Sequence, residues 1–133
     1  MKRPQRTNFE GRYVHLVPLD PAAHSEALYE ASHGPGNESL WRYLFDGPYP
    51  DAARFRAALE KKAASDDPLF FTILDGRDGR PVGYASYMRI EPAHRCIEVG
   101  SILYTPRLQR TAGATEAMYL MARHVFEELE YRR

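Results

Sequence analysis

The sequence has a single cysteine, Cys96, among 133 residues. One cysteine cannot form an internal disulfide, and this scarcity favours a reducing compartment. A chain of this length buries roughly two thirds of the surface that its unfolded form exposes, which is enough for stability without disulfides or a structural metal. We therefore expect one globular domain that is held together by its core.

An excess of either charge is also missing, since 18 Lys and Arg balance 18 Asp and Glu. A net charge of zero is not typical of proteins that bind the phosphate backbone of nucleic acids, so no nucleic-acid partner is expected. Apolar runs are short: Leu69 to Leu74, which Thr72 interrupts, is far shorter than the ~20 residues that cross a bilayer. The basic start at 2–6 is not followed by the apolar segment of a signal peptide. These absences predict a cytoplasmic protein with no membrane partner.

Several catalytic motifs are absent as well. There is no Gly-x-Ser-x-Gly elbow and no phosphate loop of the Gly-Lys-Ser/Thr kind, which removes the support for hydrolases and nucleotide triphosphatases. Cys96 has no cysteine neighbour, and we interpret it as a small buried residue. The histidines lack the paired helical spacing of zinc ligands, so no metal is expected; they are His15, His24, His33, His94 and His124.

What the sequence does contain is an alternation of strand and helix patterns. Asp20-Pro21 and Asp51 are helix-capping signals, and apolar residues follow each of them at helical spacing. The predicted strands are 13–18, 69–74, 82–90 and 96–104, and the predicted helices begin at 21, 38, 51 and 114. The order of strand, helices, three-strand antiparallel meander and long helix predicts an α+β domain with a mixed sheet.

The segment from 97 to 117 has the most informative pattern. A strand with an acidic residue and a glycine, Glu98 and Gly100, leads through a loop of small residues into the last helix. Gly100-Ser101 predicts a bulge or the close approach of a ligand. A helix that begins this way offers unpaired N–H groups and a positive dipole end to a phosphate. Spacing alone leaves a phosphate site and a plain strand-to-helix connection both open.

This segment resembles the GNAT superfamily of acetyl-CoA-dependent N-acetyltransferases, in particular the branch that acetylates ribosomal-protein N-termini. The residues that carry the resemblance are those at 97–100 and 109–117, with further matches at 11–16, 40–44, 47–49 and 81–84. The resemblance extends over residues 9 to 133. It implies the GNAT-like acyl-CoA N-acyltransferase fold, with acetyl-CoA as co-substrate and no metal.

The resemblance also implies where acetyl-CoA binds. The family's pyrophosphate loop corresponds to Gln109, Arg110, Thr111, Ala112, Gly113 and Ala114, and the strand that pairs with the pantetheine arm corresponds to Ile102, Leu103 and Tyr104. Ala112 stands where the family has its first glycine. A positive φ there would be costly for alanine, and the neighbouring Gly113 is then expected to take up the strain.

Catalytic and acceptor residues follow from the same resemblance. Glu98 occupies the position of a general base that takes a proton from the attacking amine; the alternative is a solvated strand residue. Trp41, Tyr43 and Tyr49 are candidates for the acceptor pocket, with core packing as the alternative. The expected reaction is acetyl transfer from acetyl-CoA to a primary amine, either of a protein N-terminus or of a small molecule.

The resemblance finally suggests how the chain is divided. Residues 1–8 are expected to form an N-terminal tail and residues 9–133 a single domain that is incomplete at its C-terminus. In the family a strand, a helix and two more strands follow, and their absence would leave strand 96–104 as an open edge. A homodimer through that edge is one expectation. The alternative function is that of an impaired, truncated remnant that binds the cofactor or another protein without turnover.

Overall fold

The computed structural model describes residues 6–33, 41, 48–91, 93, 96–105, 108 and 111–128. These residues form a five-stranded antiparallel sheet in the order β1-β2-β3-β4-β5. The strands are β1 (Phe9–Glu10), β2 (Val14–Pro18), β3 (Leu69–Asp75), β4 (Pro81–Glu91) and β5 (Cys96–Tyr104). The helices are α1 (Pro21–Ser32), α2 (Ala52–Ala64) and α3 (Ala112–Arg123), and a π-helical turn, His124–Glu128, continues α3. The predicted α+β class is confirmed, but all four strand pairs among the described residues are antiparallel, so the mixed character predicted for the sheet is not seen in this part of the chain.

The caps that the sequence predicts start the helices. Asp20 Oδ1 accepts a hydrogen bond from the backbone N–H of Ala22 at 3.1 Å, and Asp51 Oδ1 accepts from Arg54 N–H at 2.8 Å. Thr111 caps α3, which therefore begins two residues before the predicted start. The short strand β1 was not predicted, because two residues show no periodicity. Of the helical piece predicted at 38–45, only Trp41 lies within the described residues.

Two apolar cores lie on the two faces of the sheet. The α3-side core includes Ala117, Met121 and Val125, and the α1/α2-side core includes Leu28, Phe55 and Leu59. Strand residues contribute alternately to the two cores, as the period of a strand requires. Met121 is fully buried, and Met118 packs against the same α3-side core.

The register between β4 and β5 shifts twice. Ala85 lies opposite two residues of β5, Ser101 and Ile102, so β5 contains a bulge next to Gly100. The predicted irregularity at Gly100-Ser101 is thus confirmed. Nearer the other end, two residues of β4, Arg89 and Ile90, lie opposite one residue of β5, and Arg89 has a left-handed φ of 50°. Among the described strands, β5 is the last and has β4 as its neighbour.

Candidate functional site

A cavity of about 330 Å³ opens at the start of α3, between the β1–β2 turn and the β3–β4 hairpin. Three residues of the predicted pyrophosphate loop, Thr111, Ala112 and Gly113, form one wall. The remaining lining residues come from the two turns and the neighbouring strands and loop: Arg12, Tyr13, Val14, Asp75, Gly76, Arg77, Val82 and Leu108. Gln109 and Arg110 of the same predicted loop lie outside the described residues.

The first turn of α3 faces this cavity with its backbone N–H groups. Thr111 accepts from the N–H of Ala114, whereas no described residue accepts from the N–H of Ala112 or Gly113. Free N–H groups at the positive end of a helix dipole suit a phosphate. Neither Ala112 nor Gly113 has a positive φ, so the prediction of backbone strain at these two residues is wrong. Gly113 is needed for close packing instead, since a Cβ would lie 2.8 Å from Val14 Cγ1.

Three charged side chains lie at the cavity rim, those of Arg12, Asp75 and Arg77. The guanidinium of Arg77 binds the carboxylate of Asp75 through Nε at 3.1 Å and Nη2 at 2.8 Å. The guanidinium of Arg12 lies over the ring of Tyr13, 5.5 Å from its centroid. The three charges leave the rim with an excess of one positive charge, which favours an anionic ligand. Within the described ranges, no group of three His, Cys, Asp or Glu side chains is arranged to hold a metal ion.

Glu98 lies on β5, on the side of the sheet that α1 and α2 cover. Its neighbours Ile97 and Val99 belong to the α3-side core, so Glu98 faces the opposite side. Its side chain is 53% exposed, and Oε1 lies 3.4 Å from Nη1 of Arg89. A Cβ on Gly100 would collide with Sδ of Met88, so Gly100 leaves space for the flexible Met88 side chain beside Glu98.

The predicted pantetheine residues lie on β5 between Glu98 and the cavity. Leu103 is buried, while Ile102 and Tyr104 are partly buried, and burial raises the pKa of the Tyr104 phenol. Glu98 and Tyr104 are six positions apart on β5, a separation of at most about 20 Å. A ligand that reaches both Glu98 and the start of α3 must therefore be long and must lie along β5.

The described acceptor-pocket candidates pack in the α1/α2-side core. Trp41 is only 3% exposed, and its indole Nε1–H donates to the carbonyl of Ser32 at 2.8 Å. The Tyr49 ring lies edge-on to Trp41, with the ring centroids 5.9 Å apart, and remains partly exposed. These residues share a side of the sheet with Glu98, and their role toward an acceptor stays a prediction. Tyr43 lies outside the described residues.

Glu116 is a residue of the site that the sequence analysis did not single out. It lies on α3, and its carboxylate accepts hydrogen bonds from three consecutive backbone N–H groups, those of Arg12, Tyr13 and Val14. We call this arrangement the Glu116 clamp. A helical pattern reports which face a residue occupies and not which distant turn meets it, so no local signal could have found the clamp.

The chain is similar to known acetyltransferases in both sequence and structure. Residues 14–133 match the acetyltransferase (GNAT) domain family. A GCN5-related N-acetyltransferase from Brucella melitensis is 42% identical with a TM-score of 0.95, and the match covers 98% of this chain and 59% of that one. A protein from Chromobacterium violaceum described as a probable acetyltransferase of the GNAT family is 31% identical with a TM-score of 0.88, and the match covers 98% and 65%.

A more distant structure shares the fold alone. The spermidine N-acetyltransferase SpeG from Vibrio cholerae, as an F149G mutant, has a TM-score of 0.61 at 18% identity, over 90% of this chain and 66% of that one. No curated protein sequence matches the chain significantly. The chain spans 59% of the Brucella melitensis structure and 65% of the Chromobacterium violaceum structure. Among the described helices, none combines the length and the apolar character that a membrane span needs.

Proposed function

Because the chain belongs to the GNAT family of acetyltransferases, we propose that it transfers an acetyl group from acetyl-CoA to a primary amine. Proteins of this family generally use acetyl-CoA as the donor. The observation that carries the proposal for this chain is the cavity at the start of α3, which is lined by the residues that match the family's pyrophosphate loop. The irregular edge of β5 leads from that cavity toward Glu98.

The start of α3 fits the pyrophosphate of acetyl-CoA. The N–H groups of Ala112 and Gly113 supply two donors, and the Arg12 guanidinium adds positive charge at the rim. Gln109, Arg110 and Ala114 complete the proposed loop. The pantetheine arm would then lie along Ile102, Leu103 and Tyr104. This arrangement places the thioester at the far end of β5, on the side of Glu98.

Glu98 is the proposed general base. An α-amino group has a pKa of about 7.7–8.0 and a lysine amine about 10.4, so most acceptor amines are protonated at neutral pH. The Glu98 carboxylate takes a proton from the nitrogen, and the nitrogen lone pair forms the new C–N bond at the thioester carbonyl. The C–S bond then breaks, and the departing CoA thiolate takes up the second proton that the nitrogen loses as it becomes an amide.

Two acceptor classes fit the proposal. A protein from Vibrio cholerae described as a candidate ribosomal-protein-serine acetyltransferase shares the fold with a TM-score of 0.72 at 17% identity, and SpeG acetylates spermidine. The resemblance at 11–16 and 40–44 favours a protein N-terminus, with Trp41, Tyr43 and Tyr49 as the acceptor wall. A small-molecule amine is the alternative, because pocket shape decides between them.

The experiment that tests the proposal compares wild type with Glu98→Gln. We expect the wild-type chain to acetylate peptide N-termini or small amines, with CoA release as the readout. Glu98→Gln should lower kcat by about 10²–10⁴-fold, the range that one proton-transferring side chain contributes. Its Kd for acetyl-CoA should not change, since the proposed phosphate site lies beyond the opposite end of β5 from Glu98.

The matched control is Glu60→Gln, an exposed glutamate of α2 that should leave kcat unchanged. Equal kcat values for Glu98→Gln and wild type would remove Glu98 from the reaction. Tight binding of acetyl-CoA by wild type without turnover of any amine would instead favour a cofactor-binding module.

A further inference from the structure

The Glu116 clamp joins α3 to the β1–β2 turn close to the proposed phosphate site. Glu116 Oε2 accepts from Arg12 N–H at 2.8 Å, and Oε1 accepts from Tyr13 N–H at 2.7 Å and Val14 N–H at 2.9 Å. Desolvation raises the pKa of this carboxyl, but the three backbone donors outweigh it and the pKa is lowered. The side chain is therefore a carboxylate at neutral pH, which makes the three hydrogen bonds charge-assisted.

The turn is built to admit this carboxylate. Gly11 donates its N–H to the carbonyl of Val14 at 2.9 Å, which closes the turn. A Cβ at Gly11 would collide with Oε1 and Cδ of Glu116 and with the backbone of Val14. A side chain at position 11 and the carboxylate of Glu116 therefore cannot occupy the turn together.

Two residues of α3 contact the start of β2 one helical turn apart. Gly113 approaches Val14 so closely that a Cβ would lie 2.8 Å from Cγ1, and Glu116 binds the N–H of the same residue. Residues three apart lie on one face of a helix. Both contacts therefore fix the same face of α3 against β2, and together they set the height and direction of its first turn.

The clamp also determines the width of the cavity. Its three donor residues, Arg12, Tyr13 and Val14, line one wall, and Thr111, Ala112 and Gly113 line another. Glu116 connects the two walls without lining the cavity itself. Any change that releases the carboxylate lets the first turn of α3 move relative to the β1–β2 turn.

We propose that Glu116 is a positioning residue for the donor's pyrophosphate. It holds the N–H groups of Ala112 and Gly113 where the phosphate oxygens of acetyl-CoA bind, and it acts through α3 and not by touching the ligand. This inference rests on the proposed function, and it predicts a defect confined to donors that carry phosphates.

The test measures the Kd of two donors for the full 133-residue chain by calorimetric titration: acetyl-CoA, and S-acetylpantetheine, which has the same arm and thioester without the pyrophosphate. Glu116→Gln should raise the Kd of acetyl-CoA about tenfold, because its amide NH₂ group meets a backbone N–H where a carboxylate oxygen accepted. The Kd of S-acetylpantetheine should not change. Gly11→Ala expels the carboxylate without altering it and should give the same selective loss.

Glu127→Gln is the matched control, since Glu127 follows α3 in the π-helical turn and pairs with Arg123 at 3.0 Å on the surface. It should leave both Kd values unchanged. If Glu116→Gln does not unfold cooperatively, Gly11→Ala carries the test. Equal losses for the two donors, or no loss for either, would overturn the positioning role. Failure of wild type to bind acetyl-CoA would overturn the proposed function and this assignment together.

Discussion

His33 at the end of α1 shows how one side chain organises the α1/α2-side core. Its Nε2 accepts the backbone N–H of Tyr49 at 3.0 Å, so in the neutral ring the proton lies on Nδ1, which is 3.0 Å from Ser32 Oγ. The ring stacks on Tyr29 with the centroids 4.2 Å apart, and Trp41 packs against it at 4.9 Å. Burial lowers its pKa and outweighs a backbone hydrogen bond with Tyr29. The fold therefore requires the neutral ring.

This requirement gives a pH dependence of stability. Burial also lowers the pKa of His24, so both imidazoles take up protons more readily in the unfolded chain than in the folded one. Stability is then fully present above the unfolded pKa of about 6.5 and declines as pH falls toward the lower folded values. Each group contributes a slope of at most about 1.4 kcal/mol per pH unit, and less for the partly exposed His33.

We expect the free energy of unfolding in urea to be lower at pH 5.5 than at pH 7.5. His33→Gln should show a smaller difference, because its amide oxygen can accept from Tyr49 N–H and does not titrate. An identical pH dependence in His33→Gln and wild type would contradict the role given to His33.

The sequence was informative about residues whose signal is local or carried by the family resemblance. Thr111, Ala112 and Gly113 were predicted together, and the structure places them on one cavity wall. The role of Glu116 could not be predicted, since its partners lie 102 to 104 residues away and all three use their backbone N–H groups. A backbone N–H is present in every residue except proline, so the residue types at these positions do not reveal the contact.

The elements themselves were predicted well because their boundaries depend on short-range chemistry. Asp51 precedes α2 and accepts from Arg54 N–H, and the hairpin between β3 and β4 has Gly79 at a φ of 75°. The capping aspartate and the glycine turn are readable from a few residues. Strand β1 was missed because two residues gain their structure from pairing with β2 and not from their own pattern.

The capping interaction gives a prediction for α2. Asp51→Ala removes the acceptor for Arg54 N–H at 2.8 Å and should lower the free energy of unfolding by about 1 kcal/mol. Urea unfolding followed by circular dichroism measures the change. Glu60→Ala, on the exposed side of the same helix, should alter stability by less than about 0.5 kcal/mol. A loss for Glu60→Ala as large as that for Asp51→Ala would contradict the capping argument.

For the whole molecule, the GNAT-like α+β fold is confirmed by structural neighbours that match nearly the full chain. The periodicity of the apolar residues predicted the α+β class, and the family resemblance predicted the arrangement of the strands and helices. Neither could give the cavity at the start of α3, because its walls come from three segments far apart in the sequence. Their separation in space depends on side-chain packing such as that of Gly113 against Val14.

Acetyl-CoA should stabilise the folded chain if the proposed donor site exists. A ligand at one hundred times its Kd that binds only the folded state adds about 2.7 kcal/mol. For a domain of this size the thermal midpoint should rise by several degrees, measured by scanning calorimetry. S-acetylpantetheine at the same concentration serves as the comparison and should give a smaller rise. A cooperative transition whose midpoint does not move with acetyl-CoA would contradict donor binding.

The Glu116 clamp also has a consequence for how the molecule is assembled. Its hydrogen bonds close a loop of about a hundred residues, since their partners are 102 to 104 positions apart. Doubling the length of a loop adds only about 0.6 kcal/mol to the entropic cost of closure, so the long loop destabilises the contact only slightly more than a shorter loop would. Contacts of such long range bring a high closure entropy and are typical of slow folding steps. The site therefore belongs to no single segment of the chain and exists only when the β1–β2 turn and α3 are both in place.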